Sequence, residues 1–459
     1  MRKIHNNNGN GPLRSMLGSC RHHHHHYPLQ NHKMATSTSK ISRLFGTRDT
    51  KDNSAATTKS TTPTSNLETQ TTTTTANSIQ QHPDLLASHL GRDPLTNTRH
   101  CPLVYHRDYS FQNWPSTHTF PMDKFARLAE AILTTPVDVE DWDVDEEDKL
   151  PLVLDETDFF RPLDYNAQTQ DLMKRWLCGP LNSEFVQDFL NAQLTEEQAR
   201  HIGFREQTYR PELIRRTVLE VAGTLLTAQL ACQYGLAANL AGGTHHADHK
   251  MGAGYTILND LVVTAHYMTT SNPPTRGENT KNSTDPKPQP NIDRVLVIDC
   301  DVHQGDGTAR CMREVPALHD KLFTLSLHCA SNYPHPKAHS TWDIGLPDKM
   351  QDAAYLDTLE ASVETAISEG NPDLVLYDAG VDIYRHDKLG RLHISEGGIR
   401  QRDAFVVESC VVRHIPIACV IGGGYDKDVH ALARRHAILH EECSRVWRKY
   451  ELWNRRKPS

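Results

Sequence analysis

Residues 295–309 read VLVIDCDVHQGDGTA. The apolar run 295–298 has the length of a strand and the composition of one covered on both faces, and it leads straight into Asp299, Asp301 and His303. If extended geometry persists beyond the run, side chains alternate with period two and these three polar groups share one face. An Asp-x-His pair offers a carboxylate oxygen and an imidazole nitrogen to a metal, and zinc accepts both at about 2.0 to 2.2 Å. Taken alone, the same pair also suits capping and hydrogen bonding.

Further apolar runs lie at 236–240, 322–327, 374–377 and 415–421. Between them the spacing is helical: Leu213, Ile214, Val218, Val221 and Leu225 mark a helix over 211–233. Asn259 or Asp260 can cap another running through Val263 and His266, and two more patterns occupy 355–368 and 400–412. Doubly covered strands alternating with helices predict an α/β fold with three layers, α/β/α, around a central, mainly parallel sheet.

In such sheets ligands bind beyond the carboxyl ends of the strands, so the residues that follow each run are the informative ones. After 236–240 comes AGGTHHA, 241–247, where two glycines allow a tight turn before His245 and His246. Two imidazoles inside a folded core need partners, and Asp299 and Asp306 are carboxylates with no other evident use. After 374–377 come Asp378 and Asp382, the second able to give a metal another carboxylate. The last run ends in GGGY, which places Tyr425 at a strand end; neither a Walker lysine nor a GxGxxG order accompanies those glycines.

Composition narrows the function class. The chain has 459 residues, 49 Lys and Arg against 57 Asp and Glu, and a formal net charge of −8, which argues against a dedicated nucleic-acid binder. No run of about 18 apolar residues is present, so no membrane-spanning helix is expected. The ten cysteines form no CxxC pair, and Cys232, Cys300 and Cys419 sit in apolar runs, as reduced core residues of an intracellular protein would.

Residues 1–98 are rich in Asn, His, Ser and Thr, with histidine and threonine tracts at 22–26 and 71–75, and are expected to be a disordered tail. Basic residues without Asp or Glu up to Arg48 fit an organellar transit peptide, to plastid or mitochondrion; an untargeted tail on a nuclear or cytoplasmic protein fits as well. The folded domain is expected over 101–450, with an acidic loop at 138–148 and a flexible insertion at 271–291. The acidic loop could draw in cationic substrates or merely be solvated.

In order and content these clusters resemble the histone deacetylase family of zinc-dependent amidohydrolases, which includes bacterial acetoin-utilisation and acetylpolyamine deacetylases. The resemblance spans about residues 105–447 and is carried by AGGTHHA with GAGYTILND, VLVIDCDVHQGDGTA, LSLH, DAGVDIYRHDKLGRL and GGGY. The wording HQGDG and the NYP at 332–334 look most like class IV and bacterial-type members. The resemblance implies an arginase/deacetylase-like fold and one zinc per chain held by Asp301, His303 and Asp382. It implies catalytic His245 and His246 oriented by Asp299 and Asp306, with Tyr425 donating to the oxyanion. It also implies a substrate tunnel lined by Tyr255, Tyr333, Gly254 and Gly423, and a structural potassium at Asp299, Asp301, His303, Ser326 and Leu327. The implied substrate is an acylated lysine of histones or other proteins, or a small acetylated amine such as an acetylpolyamine. A binuclear manganese ureohydrolase would need further carboxylates where Gly305 and Tyr384 stand. A catalytically silent acyl-lysine-binding scaffold would be expected to lack one of these groups, and all are present.

Overall fold

The computed structural model describes residues 85–136, 150–270 and 292–454. The acidic run, the insertion at 271–291 and residues 1–84, with their histidine tract and transit-peptide reading, lie outside the described residues. Nine strands are described: β1 (Ala87–His89), β2 (Leu103–Val104), β3 (Arg161–Pro162), β4 (Leu236–Asn239), β5 (Val295–Asp299), β6 (Leu322–Cys329), β7 (Trp342–Leu346), β8 (Leu374–Asp378) and β9 (Ile417–Val420). Seven form one sheet in the order β2-β4-β9-β8-β5-β6-β7, and every neighbouring pair is parallel.

The central strands β4, β5, β8 and β9 are buried at every position, which is why they read as unbroken apolar runs. Helices Pro211–Tyr234, Asp260–Thr270 and Asp306–Glu314 pack in sequence along one side. Helices Asp352–Gly370, Glu396–Val411 and Val429–Lys449 form the other layer. The helix Pro211–Tyr234 starts with proline in its first turn and stops at Gly235, whose φ of +92° is the left-handed geometry a helix terminus favours. Asn259 Oδ1 accepts from Val262 N at 3.0 Å and so caps the helix Asp260–Thr270.

Strand order reverses at β5 and β8: the chain moves outward through β6 and β7, then returns to lay β8 on the other side of β5. Their loops part there and leave the crevice in which an α/β sheet binds its ligand.

The expected tail boundary is corrected, because residues 85–98 belong to the fold. β1 pairs antiparallel with β3, Leu86 N donates to Gln229 Oε1 at 3.0 Å, and Trp447 Nε1 donates to Asn97 O at 2.8 Å. The partners of this segment lie up to 350 residues away along the chain, beyond any local pattern.

Candidate active site

β5 ends at Asp299 and the chain turns, so Asp301 and His303 reach the site from a turn and not from a continued strand, as alternation had suggested. The turn is held by its own side chains: Asp299 Oδ1 accepts from Asp301 N at 3.1 Å and Asp301 Oδ1 from His303 N at 2.9 Å. Beyond β8, Asp382 accepts from Val302 N through Oδ1 at 2.9 Å, and Gly423 N donates to Asp301 Oδ2 at 2.8 Å. Backbone N–H groups thereby hold both oxygens of Asp301 and one of Asp382. Asp301 Oδ1 and Asp382 Oδ2 lie 3.0 and 3.1 Å from His303 Nδ1.

These three buried residues offer donor atoms that all lie within 4.8 Å of one another, the spacing of ligands around an ion with bonds of roughly 2 Å. A Cβ on Gly423 would stand 2.5 Å from Asp301 Oδ2 and from Asp382 Oδ2, so only glycine leaves both carboxylates room. Burial, then Asp301, pushes Asp382 up to about 7. Burial lowers His303, but Asp301 and Asp382 outweigh it and hold the imidazole at about 10. The cluster attracts positive charge, and its two carboxylates and one imidazole fit a divalent metal.

His245 and His246 follow β4 on a turn in which Gly242 and Gly243 take φ of +92° and +88°. Asp260 anchors that turn, accepting from Gly243 N at 3.1 Å, Thr244 N at 2.8 Å and Thr244 Oγ1 at 2.6 Å. His245 Nδ1 lies 3.0 Å from Asp299 Oδ2, His246 Nδ1 2.8 Å from Asp306 Oδ1, and the two rings are 4.1 Å apart. Burial and the neighbouring His245 pull His246 down to about 4. Burial also opposes charge on His245, but Asp299 and Asp301 outweigh it and hold its pKa well above the ordinary value. Each ring thus has its own carboxylate, and the neighbouring charges move the two imidazoles in opposite directions.

Tyr425 stands across the cluster, its ring edge-on to His303 at 6.4 Å and 6.0 Å from Tyr255. Burial, with Asp301 and Asp382, raises its pKa far enough to keep the phenol protonated, so it is a donor. A chamber open to solvent is lined by His245, His246, Asp301, His303, Tyr425, Tyr255, Gly254 and Gly423. It continues to Phe120, Phe125 and Lys124, whose ammonium donates to Gly422 O at 2.9 Å. Tyr255, with φ of +66°, stacks on Phe204 at 5.7 Å; Tyr333 meets His246 edge-on at 4.9 Å and is 41% exposed, outside the chamber lining and at its lip. Ser326 is paired in register with Asp299, and Leu327 follows it, buried on β6.

Four residues that the motifs did not single out shape this site. Arg402, fully buried, donates to Gly380 O at 2.6 Å, Ala379 O at 3.1 Å and Cys300 O at 3.4 Å, so one guanidinium ties together the two loops carrying Asp301 and Asp382. Asp387 accepts from Tyr425 N at 2.7 Å and from Leu389 N and Gly390 N at 2.8 and 3.0 Å. Asp260 holds the histidine turn. Asp378 is buried with no hydrogen-bond partner on either oxygen, 3.8 Å from His245 Nδ1, and burial followed by Asp299 pushes its pKa well up. The sequence quotes Asp260, Asp378 and Asp387 within motifs but gives no local sign of what they touch. His245, Asp299 and Asp378 form a second compact donor group, yet His245 Nδ1 already faces Asp299.

Among the described residues no helix is long and apolar enough to cross a membrane, and the nine described cysteines are free thiols. A sequence profile described as the histone deacetylase domain matches residues 181–440. A protein of Picosynechococcus sp. described as uncharacterised is 37% identical over 346 residues, covering 75% of this chain and 99% of its own. Histone deacetylase 2 of Arabidopsis thaliana is 30% identical over 211 residues, 45% of this chain and 49% of its own length. The acetoin utilization protein of Staphylococcus aureus is 27% identical over 229 residues, 46% of this chain and 53% of its own. The chain spans about half the length of these last two relatives.

Proposed function

The chain belongs to the histone deacetylase family, and on that premise we propose that it is a zinc-dependent hydrolase of the acylated lysine side-chain amide. The observation that carries this reading is the convergence of Asp301, His303 and Asp382 on one point faced by a histidine couple and a phenol. When bound by those three residues, zinc supplies Lewis acidity to the amide carbonyl and to water.

The protein's own groups do the rest. Neutral His246, oriented by Asp306, takes a proton as water attacks, and the same imidazole then protonates the departing amine. That second transfer is needed because an alkylamide anion is too basic to leave unaided. His245, kept cationic by Asp299, stabilises negative charge beside it. The Tyr425 hydroxyl donates to the oxyanion, and Tyr255 and Tyr333 flank the aliphatic stem of the lysine. A structural potassium at Asp299, Asp301, His303, Ser326 and Leu327, held mainly by backbone oxygens, belongs to the same proposal.

The test is carboxylate release from acetyl-lysine, longer acyl-lysine and acetylpolyamine substrates, run with zinc and with chelator. Zinc-dependent release from acyl-lysine supports the reading. Tight acyl-lysine binding without release in zinc-replete protein would make the chain a silent scaffold instead.

A further inference from the structure

An acylated lysine carries no charge, so a protein substrate is told apart by the residues beside it, and these meet the lip of the chamber. Two segments outside the chamber lining, residues 331–337 and 385–391, contact residues that line it. They are tied together and to the site: Asn332 Nδ2 donates to Leu389 O at 2.7 Å, Arg391 Nη1 to Ser331 O at 3.1 Å, and Lys388 N to Tyr425 O at 3.1 Å. Asn332 Nδ2 is also 3.5 Å from His303 Nε2, and the Tyr333 ring lies against His246. Tyr333 and Leu389 are among the large apolar side chains most exposed in the described residues, at 41% and 36%.

The charges of these segments are one-sided. Lys337, Arg385, Lys388 and Arg391 face a single carboxylate, Asp387, which is turned inward to three backbone N–H groups. Lys337 donates to the carbonyls of Asn332 and Pro334, neither of which carries a formal charge, and the carboxylates that act on it, Asp306 and Asp343, lie outside the two segments. Arg385, Lys388 and Arg391 are exposed. Outside carboxylates offset part of this charge: Asp348 accepts from Ser331 Oγ and acts on Arg391 as well as Lys349, Asp343 acts on Lys337, and Asp306, beyond His246, is 2.9 Å from Arg310. Arg385 and Lys388 have no carboxylate partner among the described residues.

We infer that this lip selects acyl-lysines flanked by acidic residues and disfavours cationic chains, basic tails and polyamines alike. The inference rests on the deacylase reading and names its substrate class. Tyr333 and Leu389 supply apolar contact for the segment carrying the lysine, and the four cations act on its neighbours within a Debye length of about 10 Å. The other side of the question, an acidic loop attracting cations, falls on residues outside those described.

The experiment compares acetyl-lysine peptides of one length whose flanks are acidic, neutral or basic. Turnover and fluorescence-anisotropy binding are measured on the zinc-loaded full chain and on the double variant Arg385→Glu/Lys388→Glu. Lys388 holds Tyr425 through its backbone, so the side-chain change leaves that bond in place. The acidic peptide should exceed the basic one in kcat/KM by on the order of tenfold at low salt, the sum of several exposed charge pairs. That ratio should shrink toward unity in high salt and fall or invert in the double variant. Equal kcat/KM across flanks, or a preference unchanged by the double variant, overturns the inference while leaving the deacylase reading intact. If no peptide is turned over, the deacylase reading fails, and the anisotropy series still decides the lip: equal affinity for acidic and basic peptides overturns it.

Discussion

Tyr425 presents one hydroxyl to the chamber, and its raised pKa keeps that hydroxyl a donor across the working range. Tyr425→Phe should lower kcat by about 10² to 10³, as removal of one oxyanion donor does, with little change in peptide affinity; equal loss in affinity and turnover would make it a binding residue instead. His246 must be neutral to accept a proton, and its pKa lies at about 4, below the ordinary imidazole value of 6.5. Activity is lost as pH falls through the folded value, so the acid limb of kcat/KM should lie well below 6.5. A limb at 6.5 or above would assign the base elsewhere. Asp301, His303, Asp382, His245, His246 and Tyr425, which the fold brings together, were legible as a group because they follow apolar runs closely in sequence. Asp260, Asp378, Asp387 and Arg402 were not, because each acts on groups brought to it by folding: Arg402 reaches Cys300 across 102 positions and Asp387 reaches Tyr425 across 38.

At the scale of elements, the site is assembled from the carboxyl ends of β4, β9, β8 and β5, four consecutive neighbours in the sheet. Their burial on both faces made them readable as runs. The edges were not: β2 has two residues, and β7 reads WDIGL with mixed exposure, so neither shows the unbroken apolar signature. The helix Glu396–Val411 reaches into the site through Arg402, whose guanidinium is neutralised by Asp403 at 2.9 Å and holds carbonyls of both loops that carry Asp301 and Asp382. Arg402→Lys keeps the charge and loses the fork, so metal affinity measured by chelator competition should fall by roughly 10- to 100-fold, as loss of an outer-shell support does. Unchanged affinity would reduce Arg402 to a packing role. Asp387 joins the β8 loop to the Tyr425 loop. Asp387→Asn should lower kcat in the parent and add little in the Tyr425→Phe background; additive losses would show that it acts by another route.

For the whole molecule, buried neutral histidines set an acid limit on stability. Burial holds both His100 and His440 at about 4, whereas the unfolded chain protonates near 6.5. Between those values the unfolded state binds more protons, so stability falls as pH drops, by about 1.4 kcal/mol per pH unit for each histidine. Denaturant midpoints from pH 7 to 4.5 should show this slope, and His440→Gln should flatten it by about one proton; an unchanged slope would contradict the assignment. Layer order and the position of the site were legible from alternating runs and helices, whereas the start of the folded region was not, because 85–98 are ordered only by distant partners. The most direct test of the whole account is metal analysis coupled to acetate release from an acetyl-lysine peptide. One zinc per chain should be found, with release abolished by chelation and restored by zinc, and Asp382→Asn should lose metal and activity together. Sustained release from protein shown to be metal-free, or two manganese ions per chain, would contradict it.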